Sequence, residues 1–147
     1  MYSINKWRED ELWRNWSGKE KALPNEYVLP KSIEDIQKTI KKAISLNQTI
    51  RVTGAGHSFS PVAKPEQIAM SLHEMRGLIS LNREKEEATF YAGTYLHEIG
   101  PILEAYHFAL SNMGDIQEQT LAGVISTGTH GTGISLGSFS SMVVKWG

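Results

Sequence analysis

The sequence predicts an α+β fold built from short strands and a few helices. Three observations predict it. Ile33, Ile36, Ile40 and Ile44 recur at helical spacing, so a helix runs from Ser32 to about Leu46. Directly after it, residues 49–53 form a β-branched stretch that breaks at Gly54. Further on, residues 77–82 and 87–92 flank the charged turn Arg83-Glu84-Lys85-Glu86, the pattern of a hairpin.

Taken in order, residues 1–23 are polar and carry Trp7, Trp13 and Trp16. They read as an arm whose tryptophans anchor it, partly helical around residues 9–14. Pro24 and Pro30 frame a short extended piece, residues 26–29. Ser32 is the expected N-cap of the first helix, and Glu34 and Asp35 in its first turn suit the helix dipole. Asn47 and Gln48 end that helix. Residues 67–72 read as a buried strand, followed by the hairpin. A second helix is expected from Leu96 to about Phe108, with Leu96, Ile99, Ile102 or Leu103, and Tyr106 on one face. Pro101 falls in its early turns, where it is tolerated. His97 and His107 lie on this helix without a carboxylate or second histidine at metal-ligand spacing, so no metal is expected.

The 147 residues suffice for one domain with a core. The net charge of −1 shows no basic surplus of the kind that nucleic acid or an anionic membrane surface selects. Cysteine is absent, which excludes disulfides and thiolate chemistry and fits a reducing, cytoplasmic setting. The N-terminus lacks the apolar run of a signal peptide. Nowhere do about 18 apolar residues occur in succession, so no membrane span is expected.

Two stretches carry chemistry. The first is Val52-Thr53-Gly54-Ala55-Gly56-His57-Ser58. Glycines let the backbone turn at positive φ and approach a ligand closely. Such a turn points several N–H groups into one concavity, which suits a phosphate. The pattern is not the dinucleotide fingerprint, because Phe59 stands at the third glycine position. Taken by itself it is either a diphosphate loop with an imidazole beside it, or a tight turn with an incidental histidine. The second stretch runs from Leu110 to Gly133. Within it, residues 119–126 suit a short helix, and Ala122 and Gly123 let that helix lie close to something flat. Thr127-Gly128-Thr129-His130-Gly131 offers N–H and O–H donors with little bulk, which suits a backbone-lined ligand wall.

Together, in this order and spacing, Gly54-Ala55-Gly56-His57-Ser58 and Gln119-Thr120-Leu121-Ala122-Gly123 through Gly133 resemble the FAD-binding (PCMH-type) domain of the vanillyl-alcohol-oxidase superfamily. Trp13-Arg14-Asn15-Trp16-Ser17-Gly18 and the segment from Pro30 to Asp35 fit as well. The likeness extends from about Trp13 to the end of the chain and leans toward the sugar-1,4-lactone oxidases, with alditol oxidases nearby. It implies two small sheets with flanking helices and FAD as cofactor. It places Val52, Thr53, Gly54, Ala55, Gly56, His57 and Ser58 around the FAD diphosphate, with His57 where many members join the flavin covalently. Asp115, Thr120 and Gly123 would line the flavin, and Thr127, Gly128, Thr129 and His130 would contact it. Asp115 stands where alditol oxidases have serine, which favours the lactone branch. Gly114 would leave space beside the flavin for oxygen. His130 is either such a contact or a core histidine satisfied by backbone.

The resemblance further implies a FAD domain over residues 24–147 that is incomplete at its C-terminal side, the segment 141–147 being a strand just begun. The substrate domain, with the residues that act on a sugar lactone, would be absent. The expected activity of the parent is oxidation of a secondary alcohol with oxygen, giving hydrogen peroxide. An alditol oxidase, a lactone dehydrogenase and a catalytically inert fragment, self-associating or not, are the alternatives.

Overall fold

The structure is a computed structural model that describes residues 12–146, divided after Glu74 into two compact units. Small sheets with flanking helices form, as expected, and the arm adds a sheet of its own.

The arm is extended rather than helical where it is described. Strands β1 (Trp13–Arg14) and β2 (Lys21–Ala22) pair antiparallel, with Trp13 opposite Ala22. The turn is closed by Gly18 N–H donating to the Asn15 carbonyl, with Gly18 at φ +69. A helix through Trp13 would have lost this pairing, and the indole of Trp13 is only 1% exposed in the strand. Trp7 and residues 9–11 of the anticipated helix lie outside the described residues.

Strand β3 (Glu26–Val28), helix α1 (Ile33–Ser45), β4 (Ile50–Thr53) and β5 (Ile68–Ser71) complete the first unit. The sheet order is β3-β5-β4, all parallel, with Tyr27 and Arg51 both opposite Ala69. Every residue of the central strand β5 is buried, which is why Ile68-Ala69-Met70 reads as an unbroken apolar run. Ser32 caps α1, its Oγ accepting the Asp35 N–H at 3.2 Å. The Asp35 carboxylate in turn accepts the Lys31 N–H at 3.1 Å. That bond above all holds the Asp35 pKa below the usual carboxylate value.

The isoleucine stripe on α1 is not its buried face. Ile33, Ile40 and Ile44 are exposed, whereas Thr39 and Ala43 are buried. Short side chains let the helix backbone approach its neighbours. The Thr39 hydroxyl is satisfied by donating to the Asp35 carbonyl at 2.8 Å.

In the second unit, β6 (Leu78–Asn82) and β7 (Glu87–Phe90) form the expected antiparallel hairpin, with a register shift between Leu78 and Ser80. Asn82 Oδ1 accepts the N–H groups of Glu84 and Lys85, and Glu86 takes φ 54. Helix α2 (Leu96–Glu104) stops four residues before the anticipated end. His107 turns to φ 63 and Phe108 N–H folds back onto the Leu103 carbonyl at 3.0 Å. Leu96, Ile99 and Leu103 form the core with Val124 of α3 (Leu121–Ser126) and Phe139.

The described residues after Ser138 form no strand. Residues Phe139–Met142 form a 3-10 turn, and 143–146 pair with no strand. Burial of Phe139 and the bond from Val143 N–H to the Ser140 carbonyl commit the segment to turning. Among the described residues no helix is long and apolar enough to cross a membrane.

Candidate functional site

The glycine loop leaves the carboxyl end of parallel strand β4, where open α/β sheets place ligands. Thr53, the last residue of the strand, is buried, whereas Val52 is half exposed. Gly54, Ala55, Gly56, His57 and Ser58 are all partly exposed, so backbone and imidazole are accessible. Gly56 takes φ +70, a conformation that side-chain-bearing residues rarely adopt. A Cβ there would stand 3.5 Å from Asn15 Cα and 3.6 Å from the Arg14 carbonyl oxygen.

The N-terminal hairpin grips this loop. Trp16 N–H donates to the Gly56 carbonyl at 3.0 Å, and Asn15 Nδ2 donates to the Ser58 carbonyl at 3.1 Å. Asn15 is 4% exposed, and its Oδ1 accepts from Ser17 Oγ and Glu20 N–H. The Trp16 indole stacks on His57, with ring centroids 6.0 Å apart and planes 16° apart. Phe59 meets the same indole edge-on at 5.0 Å. Lys64 ties the loop's far end to Glu20 at 3.1 Å. The role of Trp13–Gly18 in this loop was missed from sequence, although the spacing of its two tryptophans around Asn15 was the available signal.

The second candidate stretch lies wholly in the second unit. Residues 117–122 are pinned alongside 92–97 by Leu121 N–H to the Thr94 carbonyl (2.7 Å), Ala122 N–H to Ala92 (2.9 Å) and Leu96 N–H to Gln119 (3.0 Å). Thr120 is buried and caps α3, its Oγ1 accepting the Gly123 N–H at 3.3 Å. A Cβ at Gly123 would lie 3.2 Å from that same oxygen, so the glycine gives the cap its room. Thr127 Oγ1 donates to the Gly123 carbonyl at 2.9 Å and lies 3.4 Å from Thr129 Oγ1. Gly128 takes φ +65, with open space where a Cβ would be. The Thr129 carbonyl accepts the Phe139 N–H at 2.7 Å. His130 is exposed, and its Nδ1 sits 2.9 Å from the Gly131 carbonyl oxygen. The segment bearing Asp115 runs against this loop. A Cβ on Gly114 would touch Thr129 Cγ2 at 3.5 Å, and one on Gly131 would collide with the Met113 carbonyl oxygen at 2.8 Å. Asp115 itself is exposed.

Each stretch by itself suits close backbone approach by a ligand. In the first unit, loop positions 54 and 56 carry no Cβ. In the second, position 128 carries none, and hydroxyls are concentrated at 127 and 129. Among the described residues, the indole Nε1–H of Trp13 is the one buried side-chain polar atom without a hydrogen-bond partner, and the Cζ2 edge of that indole faces Gly56. Such a donor set fits a phosphate-bearing cofactor.

Residues 24–146 match the FAD binding domain family. The chain belongs to that family. FAD is therefore its cofactor. The chain is 35% identical over 142 residues to a D-arabinono-1,4-lactone oxidase of Kluyveromyces lactis, covering 94% of this chain and 27% of the relative. It is 33% identical to the L-gulonolactone oxidase of Bos taurus, covering 90% and 30%. It is 28% identical to an L-gulono-1,4-lactone dehydrogenase of Mycobacterium tuberculosis, covering 91% and 31%. This FAD-binding chain thus spans under a third of the length of these relatives. Among solved structures it superposes on a solvent-stable cholesterol oxidase (TM-score 0.72, 20% identity, 85% of this chain and 25% of that one). It superposes as well on an alkyldihydroxyacetonephosphate synthase (TM-score 0.72, 21% identity, 80% and 23%). At these identities the likeness speaks for the fold.

Proposed function

We propose that this chain is the FAD-binding part of a flavin-dependent sugar-1,4-lactone oxidoreductase that oxidises a secondary alcohol and passes the electrons to oxygen, giving hydrogen peroxide. The observation that carries this is the partly exposed His57, set directly after the left-handed Gly56 at the end of β4, in a chain whose relatives are named as lactone oxidases. Residues 52–58 would hold the cofactor's diphosphate by backbone N–H groups. Asp115, Thr120, Gly123 and residues 127–130 would contact its flavin end, chiefly through backbone and hydroxyls.

Bound FAD would supply the two-electron acceptor for the alcohol's hydride. His57 would supply the ring nitrogen of a bond to the flavin's 8α-methyl carbon, a role suited to the lone pair of an imidazole nitrogen. Forming that bond would release the imidazole N–H hydrogen and one methyl hydrogen as two protons and two electrons. Bound FAD would supply the acceptor for those electrons, with molecular oxygen or another two-electron acceptor as their final destination. Without cysteine in the chain, no second, thioether link can form from these residues.

The test is reduction of the flavin in the longer protein that carries this domain. Without oxygen, a sugar-1,4-lactone should bleach it and an alditol should not. Readmitted oxygen should restore the colour and yield hydrogen peroxide. Bleaching by alditols alone would overturn the substrate class. Recolouring that needs an acceptor other than oxygen would make the parent a dehydrogenase.

A further inference from the structure

We infer that Asn15 and Trp16 are positioning residues for the His57 imidazole, so that the hairpin of Trp13–Ala22 sets the direction of that ring. The inference rests on the proposed role of His57, but its evidence is separate. The matched family region begins at residue 24, outside the hairpin. Yet two consecutive hairpin residues impose three constraints on one histidine. The carbonyls on either side of His57 are both taken, Gly56 by Trp16 N–H and Ser58 by Asn15 Nδ2. The imidazole plane lies nearly parallel to the Trp16 indole.

Trp16 is not there to be buried, since it is 54% exposed. Among the described residues its other ring contact is Phe59, also largely exposed, which holds the indole from its edge. The hairpin itself is secured elsewhere, by buried Trp13 and Asn15 and by the Glu20–Lys64 pair. An exposed tryptophan stacked on a partly exposed histidine therefore acts on the direction of the ring rather than on the fold. A free histidine samples about three χ1 wells. A shelf that selects one of them raises the fraction of time the ring nitrogen is aimed productively, and reaction rates follow such orientation closely.

The experiment compares the wild-type chain with Trp16→Ala and Trp16→Phe. In the chain without FAD, the His57 ring protons should be shifted upfield in NMR spectra by the stacked indole. The shift should be lost in Trp16→Ala and partly kept in Trp16→Phe. After incubation with FAD, the rate at which flavin becomes acid-stable should fall about 3-fold or more in Trp16→Ala, with reversible FAD affinity unchanged and Trp16→Phe close to wild type. Unshifted His57 protons in the wild type would overturn the inference, as would a wild-type attachment rate in Trp16→Ala. A Trp16→Ala chain that loses reversible FAD affinity along with attachment would instead make the arm a general support, which also overturns it. Should the wild type take up no acid-stable flavin, the proposed role of His57 fails, and the NMR comparison still decides whether Trp16 orients the ring.

Discussion

Asn15 reaches across 43 residues of sequence to hold the Ser58 carbonyl at 3.1 Å. Its other side-chain atom accepts from Ser17 and Glu20, so one buried amide closes the hairpin and fastens the histidine loop to it. Asn15→Ala should cost about 2 kcal/mol, because the Glu20 N–H is left without that acceptor and the loop loses a tether. Denaturant midpoints check this. A loss within about 0.5 kcal/mol, the range of ordinary surface changes, would mean that the network is not needed.

Trp13 combines full burial with an Nε1–H that has no partner among the described residues. Trp13→Phe removes that donor together with some volume, so the two effects oppose each other. It should cost only about 1 kcal/mol, against about 3–5 kcal/mol for Trp13→Ala. Equal losses in the two variants would show that the indole N–H has a partner after all.

How much of this was legible beforehand follows from particular residues. Ser32 and Asn47 marked the ends of α1 because capping chemistry is local. The buried face was not legible, since Thr39 and Ala43 are buried by close backbone approach while the more apolar Ile33, Ile40 and Ile44 face out. The first glycine stretch was visible through the demand for positive φ, which Gly56 bears out, and the second through its lack of side-chain bulk; that Gly128 is left-handed was not anticipated. The grip of Asn15 and Trp16 on the first loop is a contact distant in sequence, and no local pattern encodes it. The turn after Ser138 was hidden because Ser141-Met142-Val143-Val144 has strand-like composition, while the burial of Phe139 just before it decides otherwise.

Gly128 has open space around it but a left-handed backbone. Asparagine tolerates that conformation and valine does not, so Gly128→Val should cost about 1–2 kcal/mol of stability and Gly128→Asn less. If the loop walls the cofactor, FAD affinity should fall further in the valine variant than its stability loss explains. Matching FAD affinities in the two variants, read by flavin fluorescence titration, would show that the loop faces elsewhere.

Burial raises the Tyr95 pKa above its usual value, and the neighbouring Arg76 only partly offsets this. The neutral phenol is therefore favoured in the folded state. Its contribution is fully present below about pH 10, the unfolded value, and is lost as pH rises through the higher folded value. Urea midpoints should decline more steeply above about pH 10 in the wild type than in Tyr95→Phe. Parallel declines would show that Tyr95 is not the group responsible.

We propose that the loop after β4 holds FAD with His57 against the flavin. The most direct test is the visible spectrum of the purified chain before and after acid precipitation, beside His57→Ala. The wild-type pellet should stay yellow, with the flavin on the peptide that starts at Val52. The His57→Ala pellet should be colourless, its flavin released to the supernatant. Colour retained in the His57→Ala pellet, or a wild-type chain that never takes up flavin, would contradict the account.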